Sequence, residues 1–171
     1  MSLLARLFSS QPDPREALRA LWYRVVELSR EPALYRDHGV ADTVAGRFDM
    51  IAAILALTML RLERGGLAPE TALLTELFVA DMDAQLRETG VGDLVVGKHV
   101  GRLVAVLGGR LGALREALAS DDEAELEAAL TRNVTMAEGH GTQALSRRLR
   151  GFSDKLAQLD GDEVLAGRIA L

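Results

Sequence analysis

Apolar residues recur every three or four positions through most of this chain, and no segment shows the sustained alternation of apolar and polar residues that marks a strand. Helices of this kind begin at capping residues and end at glycines or prolines. The signals predict long helices over Asp13 to about Ser29, Asp42–Glu63, Pro69 to about Thr89, Asp93 to about Ala119, a helix opening at "SDDEAELEAAL", and Thr142 to about Leu159. The pattern therefore predicts an all-α, single-domain bundle of about six helices.

Two helix starts carry specific capping signals. In "DPRE", Asp13 is placed as N-cap, Pro14 as the first helical residue and Glu16 three residues after the cap, which is the spacing of a capping box. Asp42 is the expected cap of the next helix, which should stop at the Gly65–Gly66 pair.

The segment "TGVGD" predicts a tight joint between the third and fourth long helices. Gly90 stands where a helix end needs a positive φ, and Val91 would then touch Leu86 in a Schellman arrangement. Gly92 adds a second pivot, and Asp93 can accept hydrogen bonds from the free N–H groups of the following helix.

Just before this joint, "DMD" places two aspartates one residue apart. On a helix Asp81 and Asp83 point about 160° apart, so they cannot chelate one ion together. Asp83 can form a surface ion pair with Arg87, four residues later. Asp81 instead shares the core-facing side of the helix, where Gln85 and Glu88 continue a polar stripe.

A buried carboxylate without a partner costs several kcal/mol, so Asp81 requires either a partner or solvent. One interpretation is an internal ion pair with Arg47, Arg102 or Arg110 that fixes the helix packing. The other is that Asp81 forms the polar edge of a partner-binding groove.

Glycines form a second unusual feature of the fourth long helix. Four of them fall within about 60° of one another on a helical wheel: Gly97, Gly101, Gly108 and Gly112. Each costs about 1 kcal/mol relative to alanine in a helix interior, so the set requires a reason. One interpretation is that another helix approaches this backbone closely. The other is that the glycines form the base of a shallow groove that binds a helix of a partner protein, with Lys98 and Arg102 at its rim.

Composition removes several classes of function. The 171 residues carry a formal charge of −5, which argues against direct binding of nucleic acid. The absence of cysteine excludes disulfides, thiolate metal sites and a cysteine nucleophile. The three histidines have no zinc spacing, and no nucleotide-binding or nucleophile motif is present. We therefore expect no enzyme activity, metal or cofactor. Separately, the preference for arginine over lysine is typical of a GC-rich bacterial genome.

Hydropathy predicts no membrane-spanning helix. The longest apolar run, Met50–Leu60, has 11 residues, about half of what a bilayer requires, and indicates a buried core helix. No signal peptide is evident, so the expected location is cytoplasmic. Residues 1–12 are expected to be a flexible N-terminal segment, or alternatively one that makes a weak interfacial contact with the inner membrane, and residues 13–171 a single helical domain.

Three segments, "LYRDHGVADTVAGRFDMIAAILAL", "LFVADMDAQLRETGVGDLVVGKHVGRLVAVLGGR" and "ALTRN", resemble the ubiquinol–cytochrome c chaperone family. The resemblance covers roughly Leu34 to Asn133 and is most specific over Phe78–Arg110. It implies a non-catalytic assembly factor for the cytochrome bc1 complex that holds newly made cytochrome b, or a similar membrane-protein client, near the ribosome exit. Where the family is expected to have an aromatic residue before the glycine–arginine pair, this chain has "VLGGR".

The resemblance and the two helix patterns together define a predicted partner-binding set. Its members are Asp81, Asp83, Gln85, Arg87, Gly90, Val91, Gly92, Asp93, Lys98, Gly101, Arg102 and Arg110. The alternative function is a helical domain for a small molecule or lipid, whose headgroup would be held by the polar side chains of Asp81, Gln85 and Glu88. An open apolar groove would favour a protein client, and a closed cavity would favour the ligand.

Overall fold

A computed structural model of the protein describes residues 13–88 and 96–171. Within these residues the chain is all-α, with a 3-10 helix at Pro14–Leu18 followed by eight α-helices and no strand. The α-helices are α1 (Arg19–Ser29), α2 (Pro32–Arg36), α3 (Val44–Arg64), α4 (Ala68–Glu88), α5 (Val96–Leu118), α6 (Glu123–Asn133), α7 (Gln143–Gln158) and α8 (Gly161–Leu165). The predicted fold class is confirmed.

Asp13 caps the first helical segment as predicted, but the prediction of a capping box at this position is wrong. The Asp13 side chain accepts a hydrogen bond from the backbone N–H of Arg15, at 2.9 Å, and Pro14 follows the cap. Glu16 does not reach back to the cap, because its carboxylate pairs with Arg19 one turn later.

The start of α3 differs from the prediction by one residue. Thr43, not Asp42, is the N-cap, and its hydroxyl accepts from the backbone N–H of Gly46 at 3.1 Å. Asp42 is drawn away by an ion pair with Arg47. A side chain at Gly46 would place its Cβ 2.0 Å from the carbonyl oxygen of Ala41, so only glycine fits this first turn.

α3 is the central helix of the fold. Every residue from Asp49 to Leu60 is buried, as the apolar run predicts, and α1, α4, α5 and α7 all pack against this helix. Three aromatic rings join α1, α3 and α4, because Phe78 contacts both Trp22 and Phe48 with ring centroids 6.2 and 6.0 Å apart. None of the helices in the described residues is long and apolar enough to cross a bilayer.

Two connecting segments pair with each other beside the start of α3. Val40 and Met136 form an isolated antiparallel bridge, in which Ala41 donates to the carbonyl of Thr135 and Ala137 donates to the carbonyl of Gly39, both at 2.9 Å. The loop that follows α6 is therefore fixed against the loop that precedes α3.

Candidate functional site

The predicted partner-binding residues fall on the last turns of α4 and on α5. Asp81, Asp83 and Gln85 lie on α4, and Gly101, Arg102 and Arg110 lie on α5. Several predicted positions concern the joint between these helices. Gly90, Val91, Gly92 and Asp93, together with the side chains of Arg87 and Lys98, lie outside what the structure describes, as does the N-terminal segment, residues 1–12.

The two aspartates of α4 do not form a shared ligand site. Both lie on regular helix, two residues apart, so their carboxylates diverge as the spacing predicts. Among the described residues no cluster of three or more acidic or histidine side chains could hold a metal ion. Both aspartates are half-buried, whereas Gln85 is exposed.

The internal ion pairs proposed for Asp81 are not the ones that form. Arg47 pairs with Asp42 at 2.7 Å and Arg110 pairs with Asp49, and neither guanidinium pairs with Asp81. Within the described part of the chain Asp81 has no ion-pair partner. This corrects the expectation that an Asp81 ion pair with Arg47 or Arg110 fixes the packing of α4.

The buried polar centre of the molecule is instead built around Asp49 on α3. The residue is only 7% exposed, and its carboxylate meets the guanidinium of Arg110 from α5, a residue that is 9% exposed. The other carboxylate oxygen accepts from the backbone N–H of Thr135, at 2.8 Å, and from the Thr135 hydroxyl, at 2.7 Å. Arg110 also donates to the carbonyl of Asn133 at 3.0 Å. One carboxylate thus joins α3, α5 and the loop after α6.

Arg110 also packs on an aromatic ring. Its guanidinium carbon lies 5.2 Å from the ring centroid of Phe48, a cation–π geometry. Because the guanidinium is enclosed by Asp49, Asn133 and Phe48, it cannot lie on the outer surface. Arg110 was predicted to contact a partner, and the structure corrects this to an internal position that sets the orientation of α5.

Gly101, Gly108 and Gly112 of α5 lie on the opposite side of the helix from Arg110. A Cβ added at Gly101, Gly108, Gly109 or Gly112 would meet nothing within 4 Å. No helix in the described residues therefore approaches this strip, which corrects the interpretation that the glycines allow close packing within the fold.

The strip is continued by two further small or apolar residues, Val104 and Ala105, both exposed. Val104 is 44% exposed and is one of three large hydrophobic residues classed as exposed in the part of the chain that the structure describes. We call Gly101, Val104, Ala105, Gly108 and Gly112 the α5 outer face. Arg102 is exposed at the margin of this face.

Two depressions bear on the alternative function of ligand binding, and both open to solvent. One, of about 320 Å³, lies between α3 and α7 and is bordered by Leu57, Arg61 and Leu156 among others. The second, of about 470 Å³, lies at the α1–α2 corner. Neither is lined by the described residues of the polar stripe, Asp81 and Gln85. Neither depression therefore supports a headgroup site at Asp81 and Gln85.

Sequence reasoning missed Asp49 and Thr135. The available signal was the aspartate directly before the apolar run, in "RFDMIAAILAL". A carboxylate beside such a run is expected to be buried and therefore requires a partner. The partner itself lies 61 residues further along the chain, beyond the reach of helical spacing.

Comparison with known proteins gives two matches. The sequence model of the ubiquinol-cytochrome C chaperone family matches residues 36–171, so the match reaches the C-terminal helices as well as the segment expected to resemble the family. A crystal structure of the Cbp3 homolog from Brucella abortus superposes with a TM-score of 0.73 at 30% sequence identity, covering 98% of this chain and 96% of that one. No curated protein sequence matches significantly.

Proposed function

Because the chain belongs to the ubiquinol-cytochrome C chaperone family, we propose that it assists assembly of the cytochrome bc1 complex by holding newly made cytochrome b. Holding a client requires a surface and no catalytic residue, which agrees with a sequence that lacks recognisable catalytic motifs. In this proposal the protein works at the cytoplasmic face of the inner membrane, where the client emerges from the ribosome.

The observation that carries the proposal is the α5 outer face. Exposed glycines in the middle of a helix lower its stability, and no neighbour among residues 13–88 and 96–171 fills the space beside Gly101, Gly108 and Gly112. Small residues repeat here at intervals of four, Gly101 with Ala105 and Gly108 with Gly112. That spacing lets the backbones of apolar membrane helices approach each other closely. A transmembrane helix of the client fits such a surface.

Specific polar residues border the α5 outer face or lie on the neighbouring helix. Arg102 is exposed at the margin of the face, and Gln85 is exposed on α4. We propose that these side chains, with Asp81 and the residues of the α4–α5 joint, bind the polar ends of the client helix. Charged groups at a rim contribute more to orientation and partner choice than to affinity.

The direct test is affinity purification of the tagged protein from native membranes, followed by detection of cytochrome b. We expect cytochrome b to co-purify, and we expect a deletion strain to lose assembled bc1 complex. If cytochrome b is absent from the purified material and the deletion strain assembles bc1 complex normally, the proposal is overturned.

A further inference from the structure

A basic depression lies on another part of the molecule, at the α1–α2 corner and the start of α3. Its volume of about 470 Å³ is within the usual range of small-ligand sites. We call it the arginine depression, and its lining residues are Arg30, Pro32, Tyr35, Arg36, Asp42 and Arg47.

The three arginines keep N–H donors that the described residues do not use. The Arg30 side chain is exposed and makes no hydrogen bond or ion pair with the described residues. Arg47 uses its Nε on Asp42, at 2.7 Å, and both of its terminal nitrogens remain. Arg36 uses Nε and one terminal nitrogen on Asp37, at 3.1 Å each, and the other terminal nitrogen remains.

The charge balance of the depression is positive although the chain as a whole carries −5. Its lining has three guanidinium groups and the carboxylate of Asp42. The carboxylate of Asp37 pairs with Arg36 beside the depression, so Arg30 is the guanidinium without a carboxylate partner among the described residues. The Arg47–Asp42 pair is about 60% exposed on both sides, so it holds its geometry only weakly and can rearrange around an incoming anion.

Tyr35 adds a neutral wall to the depression. Its hydroxyl donates to the carbonyl of Ser29 at 2.6 Å, which fixes the ring in place. Burial raises the pKa of Tyr35, so the hydroxyl stays protonated and brings no negative charge into the site. Together with Pro32, the ring supplies apolar surface for the uncharged part of a ligand.

We propose that the arginine depression binds a phosphate group, carried either by a small soluble molecule or by a lipid headgroup. Arginine forks match phosphate oxygens in geometry and give charge-assisted hydrogen bonds. Donors from three separate side chains suit a tetrahedral anion better than a planar carboxylate. The site is formed by residues of α2 and α3 and of the loops before and between them, so its variants leave the α5 outer face intact.

The first experiment follows the Nε–Hε signals of the arginine side chains by NMR while inorganic phosphate is added at constant ionic strength. We expect saturable shifts at Arg30, Arg36 and Arg47. Arg30→Gln should weaken phosphate binding about tenfold or more, because it removes charge-assisted hydrogen bonds. Arg132→Gln, at an exposed arginine on α6, should leave the affinity unchanged and is the matched control.

The second experiment separates the two sources of phosphate by sedimentation with vesicles. Binding to phosphatidylglycerol but not phosphatidylcholine vesicles, reduced in Arg30→Gln and retained in Arg132→Gln, identifies a lipid headgroup. Saturable phosphate binding without vesicle binding identifies a soluble ligand. Shifts that are uniform over all exposed arginines, or phosphate and vesicle binding that Arg30→Gln does not alter, overturn the proposal.

Discussion

Asp49 and Arg110, 61 residues apart in the sequence, form a buried ion pair that joins the central helix α3 to α5. Positions on one helix keep fixed angular relations, so holding Arg110 inward also holds Gly101, Gly108 and Gly112 outward. The ion pair, together with the buried Leu107 and Leu114 on the same side of α5, keeps the glycine side toward solvent.

We predict that Asp49→Ala lowers the free energy of unfolding by about 3–5 kcal/mol, because it leaves a buried guanidinium without its carboxylate. The double variant Asp49→Ala with Arg110→Met should lose less than the sum of the two single variants, with a coupling of about 1 kcal/mol or more. Urea denaturation followed by circular dichroism measures all four proteins. Additive losses would show that the two side chains do not interact in the folded protein.

Two glycine-to-alanine changes should have opposite signs. Gly46→Ala puts a Cβ against the carbonyl of Ala41 and should destabilise the protein by about 2 kcal/mol or more. Gly108→Ala fills open space in a helix interior and should stabilise it by up to about 1 kcal/mol. Thermal unfolding of both variants provides the measurement, and a loss of stability in Gly108→Ala would contradict the open position of the α5 outer face.

Gly101→Leu should abolish co-purification of cytochrome b while leaving the protein folded, because the leucine stands in open space and blocks close approach of a client helix. The matched control is Gly151→Leu on α7, where an added Cβ also meets nothing within 4 Å. We expect the control to bind as the parent does. Equal binding by the two variants would remove the α5 outer face from the client site.

The pKa of Asp13 should lie well below its ordinary value. Hydrogen bonds from the Arg15 side chain and backbone lower the pKa of Asp13 from 3.8 to about 2. Since the folded-state pKa is the lower one, the contribution of Asp13 to stability is complete above pH 3.8 and is lost as the pH falls towards about 2. Carbon-detected NMR of the carboxyl group measures the midpoint, and Arg15→Ala should raise it. A midpoint near 3.8 in the parent protein would refute the cap.

Asp81→Ala should change the free energy of unfolding by no more than about 0.5 kcal/mol, because its half-buried carboxylate has no ion-pair partner in the described structure. Its predicted effect is on client binding, measured by the same co-purification of cytochrome b. A large loss of stability would indicate an internal role, and unchanged stability together with unchanged binding would leave Asp81 outside the site.

The helices themselves were predictable from sequence. The predicted C-terminal ends of α3, α4 and α5 lie within one residue of the observed ends, because apolar periodicity is a local signal, and so is a glycine stop such as the one after α3. The helix α8 was missed, since five residues are too few to show a period. At the start of α3 two adjacent polar residues, Asp42 and Thr43, could each serve as the N-cap. Asp42 pairs with Arg47, and Thr43 is the N-cap.

The site was only partly predictable. The spacing of the α5 glycines was plain in the sequence, but whether a neighbouring helix covers them depends on how the bundle packs. The partner of Arg110 depends on packing in the same way, because Asp49 and Arg110 come together only when α3 and α5 meet. Sequence spacing gives the faces of a helix, whereas packing decides which face is buried.

The two hydrogen bonds from Thr135 to Asp49 span 86 residues of chain. During synthesis Asp49 therefore leaves the ribosome long before the residues that satisfy it, and α3 stays without its full set of bonds until the loop after α6 is made. Contacts of such long range slow folding. The carboxylate of Asp49 can therefore gain both of these bonds only after Thr135 has been synthesised.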